Sequence, residues 1–233
     1  MAKARPITGV CAIVLAIVFN VPFSILAATY NYPDVLRGPP GEALDLFAAG
    51  GAQLILTWHA FALSALALIP VAIALSLTPQ RVAERPALAI GAAITGALAG
   101  LAQAIGLWRW VFVIPGLAQT HATGDIEAQH SAERAFAILN QYGGVAIGEH
   151  LGQWLTALFI LLLALAQWQE RARISASIGF IAAIAIAIGL QEGVALALGQ
   201  SGETFGLITI AGFMGFTIWL IATGIGLFRA PRA

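Results

Sequence analysis

Two histidines and two glutamates, His59, His150, Glu149 and Glu192, lie inside stretches of this chain apolar enough to cross a bilayer. Ionisable side chains are expensive at that depth, so by default they mark a functional site. Three chemistries use these residue types. Imidazole with carboxylate suits zinc or iron, with His59, His150, Glu149 and Glu192 as the ligand set and one position left open for water. His59 and His150, on separate helices, would alternatively ligate haem b axially, with Arg109 near a propionate. The same four groups would, thirdly, relay protons or bind a polar or cationic small molecule. Against each stands a plainer reading, in which the histidines hydrogen-bond to Glu or Gln neighbours and the carboxylates form ion pairs that only fix helix packing.

The elements that must position these groups follow from composition. Sixty per cent apolar and nine per cent charged residues exclude an ordinary soluble domain, which carries about a quarter charged residues. At about 20 apolar residues per helical crossing, six spans fill the chain. Hydropathy sets them at about 7–29, 53–77, 87–114, 143–167, 174–199 and 205–228 of one integral-membrane domain, 1–233. The fold expected is all-α, a polytopic six-helix transmembrane bundle. Two short external amphipathic helices are expected at 42–49 and 126–140. At 1.5 Å per residue, His59, Glu149, His150 and Glu192 all come out roughly 10 Å below one membrane boundary. Asn20, Trp58, Gln103 and Gln153 fall near that depth, with Arg109 closer to the surface.

Charge distribution orients the bundle. Lys3, Arg5, Arg81, Arg85, Arg171, Arg173, Arg229 and Arg232 fall on one side of six crossings, and only Arg37, Arg109 and Arg134 fall opposite. The positive-inside rule then puts both termini in the cytoplasm of a bacterial inner membrane, and the acid-rich loops outside. His121 and His130, in an external loop, read as solvated. The balanced net charge argues against a nucleic-acid partner. The single cysteine, Cys11, can form no intrachain disulfide. Small residues at four-residue spacing, Ala92-Gly96-Gly100-Ala104, Gly144-Gly148-Gly152 and Gly189-Gly193, predict that spans three, four and five pack closely, and they permit a homo-oligomer.

Residue types discount several familiar sites. Lys3 is the only lysine and lies outside the spans, so no retinal Schiff base can form. Glu149-His150-Leu151-Gly152-Gln153 lacks the second histidine of a zincin motif. The segments Trp108-Arg109-Trp110-Val111-Phe112-Val113 and Gly144-Val145-Ala146-Ile147-Gly148-Glu149-His150-Leu151-Gly152 resemble the bacterial integral-membrane family known as domain of unknown function 4386. That resemblance implies a multi-helix membrane protein and supplies no activity. The residues themselves point to an outward-facing polar site in the bundle that binds a small ligand, metal or haem. In it Arg109 would anchor an anion, Gln103 and Gln153 would orient the ligands, and Asn20 and Trp58 would line the wall. A small transporter, a structural membrane subunit and a zinc-dependent membrane hydrolase are the competing readings.

Overall fold

The computed structural model describes residues 5–229, and no strand occurs among them. Ten α-helices follow one another: α1 (Pro6–Tyr30), α2 (Pro40–Ser76), α3 (Pro79–Glu84), α4 (Pro86–Phe112), α5 (Ile114–Thr123), α6 (Ile126–Leu139), α7 (Gly152–Gln169), α8 (Arg173–Gly189), α9 (Glu192–Ala197) and α10 (Glu203–Arg229). A π-helical segment, Asn140–Leu151, joins α6 to α7 without a break. Several starts are written locally. Pro6, Pro40, Pro79 and Pro86 open their helices, where a missing N–H is harmless. The Thr78 hydroxyl and the Asp125 carboxylate accept the first free amides of α3 and α6.

Six of the helical runs are long and apolar enough to cross a membrane. They are α1, α2, α4 with α5, α6 through the π segment to α7, α8 with α9, and α10. This is a multi-pass membrane protein. Its outward surface carries large bare apolar side chains, among them Ile7 (79 % exposed), Ile174 (78 %) and Ile181 (70 %), a surface suited to lipid rather than water.

The spanning helices close a ring: α1 packs on α2, α2 on α4, α4 on α7, α7 on α8, α8 on α10, and α10 back on α1. The last contact depends on absent side chains, because a Cβ at Gly9 would lie 2.7 Å from the Gly224 carbonyl. The two chain ends therefore meet at one end of the bundle, where the Arg5 amide donates to the Leu227 carbonyl at 3.1 Å. Here the core holds Leu68, Phe159, Leu163 and Trp219. Gln167 bridges helices inside it, accepting from the Trp219 indole and donating to Thr223, each at 3.0 Å. The opposite end has its own core of Tyr30, Phe47, Trp58, Trp110 and Phe136.

Some expectations change. Residues 42–49 lie in a short helical stretch that Gly51, at φ 55°, breaks from the rest of α2, whereas 126–140 forms no separate helix and runs on into the fourth span. Leu44, Phe47 and Phe136 are buried in the core, and their apolar faces are what hold these segments down. His121 is not simply solvated, since its ring lies between Asp45 (2.9 Å) and Glu133 (3.2 Å). His130 is exposed. The small-residue stripes of spans three and four do meet, and Gly193 of the fifth packs on Val145 of the fourth, whereas Gly189 packs on Thr209 of α10, because the ring places α8 between α7 and α10. Lys3 and Arg232 lie outside the described residues.

Candidate functional site

At the end of the ring away from the termini, the helices enclose a cavity of about 690 Å³, within the ~300–1,000 Å³ usual for small-molecule sites. Asn20, Trp58, Gln103, Arg109, Glu149, Gln153 and Glu192 all stand on its wall. Two elements deliver the carboxylates. Glu149 comes from the π segment, whose wider i→i+5 ladder is a rare geometry that recurs at functional sites. Glu192 opens α9, just after a break at Leu190 and Gln191 ends α8.

Both carboxylates converge on a residue that the sequence singled out only for its charge. Arg37 closes a short 3₁₀ turn, Asp34–Arg37, in the connection between α1 and α2. Its Nη2 donates to Glu149 Oε2 at 2.7 Å and its Nε to Glu192 Oε1 at 2.9 Å. These side chains are 27, 23 and 16 % exposed, so the triad sits at the mouth of the cavity. Burial works to lower the Arg37 pKa, but the charges and hydrogen bonds of the two glutamates outweigh it and hold the guanidinium above its ordinary value. The signal in the sequence was indirect. Two acids at membrane depth require a cation, and only three basic residues lie on that side of the spans.

Deeper in the wall, Arg109 is buried. Its Nη1 donates to the Gly106 carbonyl and its Nη2 to Asn140 Oδ1 at 3.1 Å, and the guanidinium lies over the Trp110 ring at 5.0 Å. Asn140 in turn donates to the Leu36 carbonyl at 3.1 Å, linking Arg109 to the turn that carries Arg37. Gly144 makes room for this arrangement, since a Cβ there would fall 2.5 Å from Arg109 Nη2. Trp110 stacks on Trp58 with ring centroids 4.7 Å apart. Two other expected residues spend their amides on helix contacts. Gln103 donates to Thr156 at 2.8 Å, and Asn20 donates to Thr217 at 2.9 Å.

The histidines do not join this site. His59 is off the cavity wall, and its Nδ1 is buried without a partner. His150 turns the other way from Glu149, and its Nδ1 meets the Leu190 carbonyl at 3.1 Å; since a carbonyl only accepts, that nitrogen carries the proton. Among the described residues no three His, Cys, Asp or Glu side chains gather so as to hold a metal ion. Of the expected set of His59, His150, Glu149 and Glu192, the two carboxylates come together on Arg37 and the two histidines stand apart from them. Common depth fixed the height of these residues but left their rotation about each helix free.

The family model for the domain of unknown function DUF4386 matches residues 7–224. The chain belongs to the DUF4386 family. Neither the curated proteins nor the solved structures include a match. The DUF4386 match takes in every residue named here on the cavity wall. The two segments that carried the resemblance lie against one another in space. A Cβ at Gly106 would fall 2.6 Å from Gly148 Cα, which brings Arg109 beside Gly144 and sets Glu149 at the cavity.

Proposed function

We propose that this protein binds a small organic molecule in the cavity between its helices, entering from the non-cytoplasmic side of a bacterial inner membrane. The observation that carries this reading is the cavity itself, in which five further residue positions singled out for chemistry share one wall with the Arg37–Glu149–Glu192 triad. A merely structural ion pair needs no space beside it. The membrane side is supported by charge, because Arg5, Arg81, Arg85, Arg171 and Arg173 lie toward the end where the termini meet, and the cavity lies toward the acid-rich end.

Transport, the second reading, has one feature in its favour. A void of about 10 Å³ follows the main cavity and shares Phe19 and Gln103 with it. Its walls are otherwise mostly apolar, with Leu15, Leu68, Phe216 and Leu220, and its volume is about that of one water probe. This arrangement favours binding over passage.

Gly206 provides the test. It lines the cavity, and the atoms nearest a Cβ there would be those of the Glu192 carboxyl, at an ordinary 3.5 Å. Gly206→Leu therefore reduces the cavity without forcing the backbone. A panel of drug-sized amphipaths, cationic, anionic and neutral, is screened by thermal shift on protein in detergent. Occupancy at 100 times Kd stabilises by about 2.7 kcal/mol, so at least one member should raise the Tm of the unmodified protein by several degrees and leave Gly206→Leu unmoved. If no panel member distinguishes the two proteins, binding in this cavity is wrong.

A further inference from the structure

Three buried nitrogen donors on residues of the cavity wall have no hydrogen-bond partner: Arg109 Nε, Trp58 Nε1 and Trp110 Nε1. Buried donors are almost always met in native proteins. Because all three are donors, the group that would satisfy them must be an acceptor. Trp58 and Trp110 are wholly buried and stacked together, and Arg109, 7 % exposed, lies over the Trp110 ring, so the three belong to one patch.

Charge then narrows the acceptor. Arg109 donates only to neutral partners, the Gly106 carbonyl and the Asn140 amide oxygen. Among the described residues no carboxylate lies within ion-pair distance of it. Arg37, the other guanidinium on the wall, is already taken by both glutamates. The wall thus presents one guanidinium without a counter-ion, beside apolar rings that include Phe61 and Phe213. A doubly charged anion is disfavoured, because Asp34, Glu149, Glu192 and Glu203 stand on the same wall and repel a second negative charge. What remains is a single negative charge on an apolar body.

We propose that the cavity binds an amphipathic monocarboxylate, its carboxylate on the Arg109 guanidinium and its apolar body along the Trp58 and Phe213 side of the wall. This rests on the cavity being a ligand site. The planar guanidinium fork matches the two carboxylate oxygens, so the pairing is directional as well as charged. Arg109 Nε and both indole N–H groups are closed off as the wall stands, so reaching any of them takes a rotation of its side chain, and Arg109, which carries the charge, is the primary anchor.

Octanoate, octanol and octylamine test the charge with the apolar body held constant. Each is titrated by calorimetry into the full chain in phosphatidylcholine nanodiscs, against protein-free nanodiscs as blank. Octanoate should bind at least tenfold more tightly than the other two. Arg109→Gln removes the anchor, and Asn140→Asp, which sets a carboxylate 3.1 Å from Arg109 Nη2, neutralises it in place without losing the arginine. Either should bring octanoate to the affinity of octanol, so a folding failure in one leaves the other to decide. Equal binding of octanoate and octanol, or preference for octylamine, overturns the carboxylate while leaving the cavity as a ligand site, and Gly206→Leu should then weaken all three. Absence of octanoate binding also overturns it, and the amphipath panel decides separately whether the cavity binds anything. Native mass spectrometry on protein taken directly from membranes separates the remaining source of a monoanion. A phospholipid lost in Gly206→Leu but not displaced by octanoate assigns the charge to a lipid phosphodiester and rejects the carboxylate.

Discussion

Arg37 holds two acids that have no other cation within ion-pair distance among the described residues. Its contribution lies between two regimes. An exposed pair contributes at most ~1 kcal/mol, and removing one partner from a buried pair costs about 3–5 kcal/mol. With all three side chains about a fifth exposed, Arg37→Gln should lower stability by about 1–3 kcal/mol, because it leaves Glu149 and Glu192 facing each other unbalanced. The triple change with Glu149→Gln and Glu192→Gln should recover most of that loss, since it removes the charges along with their partner. Thermal unfolding in detergent reads both, and a triple variant no more stable than Arg37→Gln would refute the charge-balance account. Raised as it is by the two acids, the Arg37 guanidinium stays protonated throughout the physiological range.

Among the elements, the crossing of α4 with the π segment decides whether the site exists. Gly106 and Gly148 face each other so closely that either Cβ would press into opposing backbone, which cannot rotate away as a side chain can. Overpacking of this kind costs about 1–3 kcal/mol, and here it also pushes Arg109 from Asn140 and shifts Glu149. Gly106→Ala should therefore lower Tm by several degrees and reduce ligand binding together. Gly116, in α5, has nothing within 4 Å of the same position, and Gly116→Ala in a helix interior should be neutral or stabilising by up to about 1 kcal/mol. If the two substitutions behave alike in a thermal shift assay, close helix approach at Gly106 is not what builds the wall.

For the whole molecule, the ring order and the charge asymmetry together make a topological prediction. In a Cys11→Ser background, Glu127→Cys should react with a membrane-impermeant maleimide in intact cells, and Val82→Cys only after permeabilisation. Both positions are exposed, so burial does not confound the readout. The opposite pattern would invert the orientation and place the cavity toward the cytoplasm.

Much of this arrangement was legible in the residues themselves. Apolar run length was enough to count six helices able to span, because a bilayer admits only backbones that satisfy their own hydrogen bonds, although the second, third and fourth runs extend well past the expected ends. Depth likewise gathered Asn20, Trp58, Gln103, Glu149, Gln153 and Glu192 near one height, with Arg109 closer to the surface, since rise per residue is constant. Rotation was not legible. It placed His59 off the cavity wall while its neighbour Trp58 stands on it, and it turned His150 toward Leu190 while Glu149 met Arg37. Nor could any spacing rule pair Arg37 with acids 112 and 155 residues away. Hydropathy and charge act locally along the chain and so determine which segments cross the bilayer; which side chains share a cavity depends on the ring of helix contacts, and that ring exists only once glycine surfaces far apart in the chain have closed on one another.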